Sequence, residues 1–141
     1  MPGTQLHQTS RKPLLFVDID GVLSLWGFGM DGVVVSNHGG RQVDGAIGAL
    51  DALPAVADEV GGELAVLFDS GIRCGADVVK ALCLGADTVL LGRPFLWGLA
   101  LAGAEGVEHV LRMLLAEVDL TMALSGAATV ADLRPELLTR G

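Results

Sequence analysis

Three apolar runs in this chain end in the same way. Val33-Val34-Val35 stops at Ser36-Asn37-His38-Gly39-Gly40-Arg41, Leu64–Phe68 stops at Asp69-Ser70-Gly71-Ile72-Arg73, and Thr88–Leu91 stops at Gly92-Arg93-Pro94. Unbroken runs of β-branched and aliphatic residues mark strands covered on both faces, as in parallel sheets. Helical spacing fills the gaps between them. Ile47, Leu50, Leu53, Val56, Ala57 and Val60 share one face, with Asp51, Asp58 and Glu59 on the other. Pro54 inside that run predicts a kink or a break into two helices, and Gly61-Gly62 closes it. Ala76–Leu84 reads as a short helix ended by Gly85, and Phe95–Ala102, Val107–Leu124 and Val130–Leu137 read as further helices.

A β-α-β-α-β-α order with buried strands implies an α/β fold with a parallel sheet and right-handed crossovers. Three such units suit a piece of a (β/α)8 TIM barrel, whose complete form takes ~250 residues. A chain of 141 residues cannot close one. One extra strand precedes the three units: Pro13–Val17, running into Asp18-Ile19-Asp20-Gly21-Val22-Leu23. The segment from Gly21 to Met30 has no helical periodicity and is too short for an ordinary parallel crossover. The expected division is therefore 1–28, a polar tail and a strand, and 29–141, the barrel-like part.

Charge and hydropathy exclude several classes of partner. A net charge of −8 repels nucleic-acid phosphates. Hydrophobic residues reach 51%, yet the longest apolar stretch, Leu90–Ala104, is broken by Arg93 and Pro94, so no membrane span is expected. Leu14–Val17 is too short for a signal-peptide core, and Cys74 and Cys83 have no metal or redox spacing. These features lead to the expectation of a cytoplasmic protein without a metal. Unpaired strand edges and open interior Val and Leu faces predict self-association.

The loops carry the chemistry. Backbone amides in glycine turns, helix N-termini and guanidinium groups together make an anion site, and barrels hold phosphate in the loops after their last strands. An imidazole suits proton transfer near neutral pH, and the arginine fork matches a carboxylate. His38 and Arg41 thus point to a small acid that loses a proton.

The three loop motifs, with Leu120-Thr121-Met122-Ala123-Leu124-Ser125-Gly126, resemble the FMN-dependent α-hydroxy acid oxidase and dehydrogenase family over residues 29–141. Phe68-Asp69-Ser70-Gly71 is most similar to its lactate 2-monooxygenase-like members. The resemblance implies the last three βα units of a flavin-binding barrel that oxidises a small 2-hydroxy acid to the 2-oxo acid. It implies His38 as catalytic base and Arg41 as the substrate-carboxylate ligand. It further implies FMN contacts from Ser36, from Asp69, Ser70, Gly71, Ile72 and Arg73, and from Gly92 and Arg93. Family members also carry earlier strands with a Lys near the flavin, an Asp paired to the base, and tyrosines; this chain has no Tyr, and Ala127 stands where a His is common. The alternative is a phosphate- or FMN-binding remnant without turnover. Asp18-Ile19-Asp20-Gly21-Val22-Leu23 resembles the first motif of haloacid dehalogenase-type hydrolases, which would make Asp18 and Asp20 a Mg²⁺-dependent phosphatase pair; the rest of that family's motifs have no room.

Overall fold

The computed structural model describes residues 16–17, 32–60 and 62–139. Four strands, β1 (Phe16–Val17), β2 (Gly32–Val35), β3 (Ala65–Phe68) and β4 (Thr88–Leu91), alternate after β2 with α1 (Ala49–Val60), α2 (Gly75–Cys83) and α3 (Arg93–Leu124). Every pairing is parallel, and the sheet order is β1-β4-β3-β2. The sheet is open, a partial (β/α) barrel of three βα units. The extra strand takes the outer edge of β4, in register Phe16 to Leu90 and Val17 to Leu91.

Strand alternation decides which residues reach the helices. Val35, Val66, Phe68, Val89 and Leu91 point to one face and form the main core with Leu53 of α1, Val78 and Ala81 of α2, and Leu114 of α3. The opposite face was expected to stand open along its length. Of its residues Val34 is 39% exposed, whereas Leu67 and Leu90 are each only 3% exposed. Leu67 leans over Gly32, where a Cβ would stand 3.0 Å from Leu67 Cδ1, so that edge glycine leaves the room.

The helices depart from expectation at Pro54 and over Val130–Leu137, and α3 bends where the sequence leaves a gap. α1 runs through Pro54 without a break. Pro54 falls in the second turn, where its missing N–H deprives only the Leu50 carbonyl of its donor. α3 bends at Ala102 and Gly103, where Gly103 adopts φ 59° and ψ −138°, a backbone region open chiefly to glycine. The bend brings Gly98 against the backbone of Gly106, and a Cβ on either would collide with the other's carbonyl. The helix expected over Val130–Leu137 is instead two short 3-10 turns, Val130–Asp132 and Pro135–Leu137. Pro135 forces Arg134 into an extended conformation (φ −149°, ψ 157°) and interrupts the helix there. Both turns fold back onto a second apolar cluster, Val79, Cys83, Met122 and Ala127, through Leu133 and Leu137.

Candidate functional site

The loops after β2, β3 and β4 converge at the C-terminal ends of their strands, because parallel pairing ends all three on one side. Asp69 N–H donates to the Val35 carbonyl at 2.9 Å and locks the first two loops together where the sheet stops. The chain after β2 makes a tight turn, His38–Gly40, capped by the Asn37 side chain, whose Oδ1 accepts Gly40 N–H at 3.1 Å. The same Asn37 amide donates from Nδ2 to the Ile47 carbonyl at 3.2 Å, tying the turn to the entrance of α1.

A cleft of about 150 Å³ opens among these loops. It is lined by His38, Gly39, Arg41, Asp69, Ser70, Gly71, Ile72, Arg73, Gly92 and Arg93, with Leu90 and Leu96 completing the wall. Every site residue expected from sequence except Ser36 touches it, and Ser36 lies one bond behind, its Oγ donating to Asp69 Oδ2 at 2.5 Å. Leu90 and Leu96 were not expected. Their positions, next to last in β4 and three after Arg93, were a usable signal, since they flank the Gly92-Arg93 turn. Ile72 contributes mainly as wall: its side chain is buried in the main core, and its carbonyl accepts Arg73 Nη1 at 2.7 Å.

Three guanidiniums, from Arg41, Arg73 and Arg93, share this pole of a chain whose net charge is −8. Arg73 lies over the Trp97 ring at 5.7 Å, and Arg93 Nη2 donates to the Gly39 carbonyl at 3.3 Å, bridging the first loop to the third. A Cβ at Gly71 or Gly92 would meet no atom within 4 Å, so both glycines leave open space on the cleft wall. Among the described residues no group of three or more His, Cys, Asp and Glu is placed to hold a metal ion.

The two helix N-termini at this pole differ. The start of α2 is already occupied by protein carboxylates: Gly75 N–H donates to Glu117 Oε2 at 2.7 Å, and the Arg73 and Cys74 amides donate to Asp77 Oδ2 at 3.0 and 3.2 Å. α3 carries no acid in its first turn.

Burial works against ionisation of Asp77, but the Arg73 amide, the Cys74 thiol and amide and the Lys80 ammonium together hold its carboxyl below the usual carboxylate range. A folded-state pKa below the ordinary 3.8 means that ionised Asp77 stabilises the fold above that pH, a contribution lost as pH falls through the folded value. Asp77→Asn is expected to remove about 1 kcal/mol at neutral pH, in the range of a lost helix cap. The gap should close in acid. Urea midpoints for both proteins at about pH 7 and about pH 3 check this, and an equal gap at both would refute it.

The fold and the cleft define an α/β protein of barrel type with an arginine-lined cleft at the C-terminal ends of its strands. The sequence profile of the FMN-dependent dehydrogenase family matches residues 17–140. The FMN-dependent alpha-hydroxy acid dehydrogenase qulF of Penicillium citrinum is 58% identical over 112 residues, covering 79% of this chain and 28% of the relative. The L-lactate dehydrogenase of Ectopseudomonas mendocina is 54% identical over 113 residues, covering 80% and 30%. The crystal structure of a soluble mutant of the membrane-associated (S)-mandelate dehydrogenase from Pseudomonas putida superposes with a TM-score of 0.75 at 48% identity, over 80% of this chain and 32% of that one. The chain belongs to the FMN-dependent dehydrogenase family. It spans less than a third of the length of these relatives. The family match begins at residue 17 and runs through Asp18–Leu23, and it lends the hydrolase-like reading of that stretch no support. Asp18 and Asp20 themselves lie outside the described residues. Among the described residues no helix is long and apolar enough to cross a membrane.

Proposed function

We propose that this chain supplies the phosphate cradle, the base and the carboxylate ligand of an FMN-dependent oxidoreductase acting on a small 2-hydroxy acid, lactate- or mandelate-like. The observation that carries the reading is the convergence of His38, Arg41 and two Gly-Arg loops on one cleft. The residues fit the group. α3 points an acid-free N-terminus at the cleft, Arg93 and Arg73 stand beside it, and Gly71 and Gly92 leave the space a phosphoryl ester would enter. A cleft of about 150 Å³ is smaller than a whole ligand pocket and suits the phosphate end of the cofactor.

FMN, when bound, supplies the two-electron acceptor for the oxidation. Arg41 would hold the substrate carboxylate in its planar fork, and His38 would take the proton from the 2-hydroxy acid. Both side chains are exposed, so nothing within the described residues competes for the substrate position. The barrel-like part, taken from residue 29, is the unit to which these roles are assigned. By the family resemblance the Lys near the flavin and the Asp paired to the base come from earlier strands, so the chain by itself is expected to bind without turning over.

Calorimetric titration with FMN and with inorganic phosphate tests this. Both should bind, and Arg93→Ala should weaken both by about tenfold or more, the worth of a charge-assisted hydrogen bond. Unchanged affinity in that variant would sink the cradle. Lactate-dependent flavin reduction by the isolated chain, abolished in His38→Ala, would show that the site is complete and overturn the expectation of no turnover.

The outer edge of β2 has no partner strand among the described residues, and Val34 is open beside it. That edge is the proposed contact through which copies of the chain associate. Light scattering should give a mass that rises with concentration; a constant monomeric mass would exclude the contact.

A further inference from the structure

Two hydroxyls and one carboxylate grip the loop that carries His38. Ser36 Oγ at 2.5 Å and Ser70 Oγ at 3.2 Å both donate to Asp69 Oδ2. With their hydrogens directed to one carboxylate, the two oxygens turn their lone pairs to the backbone opposite. Ser36 Oγ accepts His38 N–H at 3.0 Å; Ser70 Oγ accepts Gly39 N–H at 3.0 Å and Asn37 N–H at 3.4 Å. Three successive amides are thereby held by two hydroxyls, and one of these, with the carboxylate that orients both, stands just after the neighbouring strand.

The loop has a conformation that needs holding. His38, Gly39 and Gly40 have φ of 57°, 67° and 70°, three left-handed residues in a row, the first with a Cβ that disfavours it. Ser70 is itself at φ 90°, a region in which glycine would sit without penalty. Serine at this position carries a backbone strain that glycine would not, and its hydroxyl sits at the centre of this grip.

We propose that Ser70 is a positioning residue. Its hydroxyl, oriented by Asp69, fixes the Asn37–Gly39 backbone and so sets the direction in which His38 is presented to the cleft. The purpose rests on the reading of His38 as base, but the strap does not. In this assignment only the backbone of residue 70 remains for the cofactor, and its side chain serves the neighbouring loop. Leu90 closes the cleft from the far side, and Arg93 meets the same loop at the Gly39 carbonyl, leaving the Gly39 amide to Ser70.

Amide hydrogen exchange on the ¹⁵N-labelled full chain tests it, comparing the wild type with Ser70→Gly and Ser70→Ala. Ser70→Gly relieves the backbone at residue 70, so a serine whose hydroxyl held nothing would leave this variant as stable as the parent or more so. The strap instead requires the Gly39 amide to exchange about tenfold faster in both variants while the α2 amides keep their protection. Wild-type protection of Gly39 in either variant would overturn the proposal, and so would acceleration shared by Gly39 and the α2 amides. Phosphate-induced shifts of the Gly92 and Arg93 amides, read in the same samples, report on the proposed function separately. Their absence in the wild type would count against the cradle alone, and the exchange at Gly39 would still decide the strap.

Discussion

Truncating Phe68 to alanine is expected to destabilise the chain by about 3–5 kcal/mol, a large share of what a domain this size possesses. Phe68 is 1% exposed at the end of the central strand β3, paired with Val35 of β2 on one side and Val89 of β4 on the other. Its ring fills the space between the sheet and the helices, and removal leaves a cavity that close-packed neighbours cannot collapse to fill. The loss should reach the site directly, since Asp69 follows Phe68 and its amide holds the Val35 carbonyl. Urea unfolding followed by far-UV circular dichroism measures the cost. A loss under about 1 kcal/mol would mean that β3 is not the core strand described here.

Gly75→Ala should be nearly as damaging, about 3 kcal/mol, for the opposite reason. A Cβ at position 75 would run into the backbone of Glu117 and Val118 in α3, which unlike a flexible side chain cannot swing away. α2 and α3 would have to part, and the Gly75 N–H would lose Glu117 Oε2. The Asp69–Cys74 loop is stretched between β3 and this helix contact, so phosphate affinity should fall together with stability. Thermal unfolding and phosphate calorimetry on the same variant check both effects. Parental stability would show that the two helices do not meet at this glycine.

Sequence and structure agree most closely where the pattern is local. The three valines of β2, the Leu64–Phe68 run and Thr88–Leu91 became strands within one residue of their expected limits, because β-branched and aliphatic runs have few other uses in a chain this polar at its turns. The bend at Gly103 was legible as a gap between two helical segments. Pro135 was underweighted: its effect on Arg134 outweighed the spacing of Val130, Leu133 and Leu137, which in the structure reach their cluster from two separate turns. Pro54 was overweighted, since early in a helix a proline forfeits a single bond.

The residues of the site were readable as a set because each follows a buried strand, and a parallel sheet must bring such positions to one pole. By itself the sequence determined the strands and their glycine-arginine ends and, through the family resemblance, implied the list from Ser36 to Arg93. Only the tertiary structure decided how those groups divide their work. Glu117 and Asp77, 42 and two residues from Gly75, occupy the start of α2, while the first turn of α3 carries no acid. Asp69 turns toward the Ser36 hydroxyl and Ser70 toward the Gly39 amide, each more than 30 positions away. Such assignments depend on which donors and acceptors meet across strands. Hydrogen bonding acts over a few ångströms in space, and sequence separation carries no record of it.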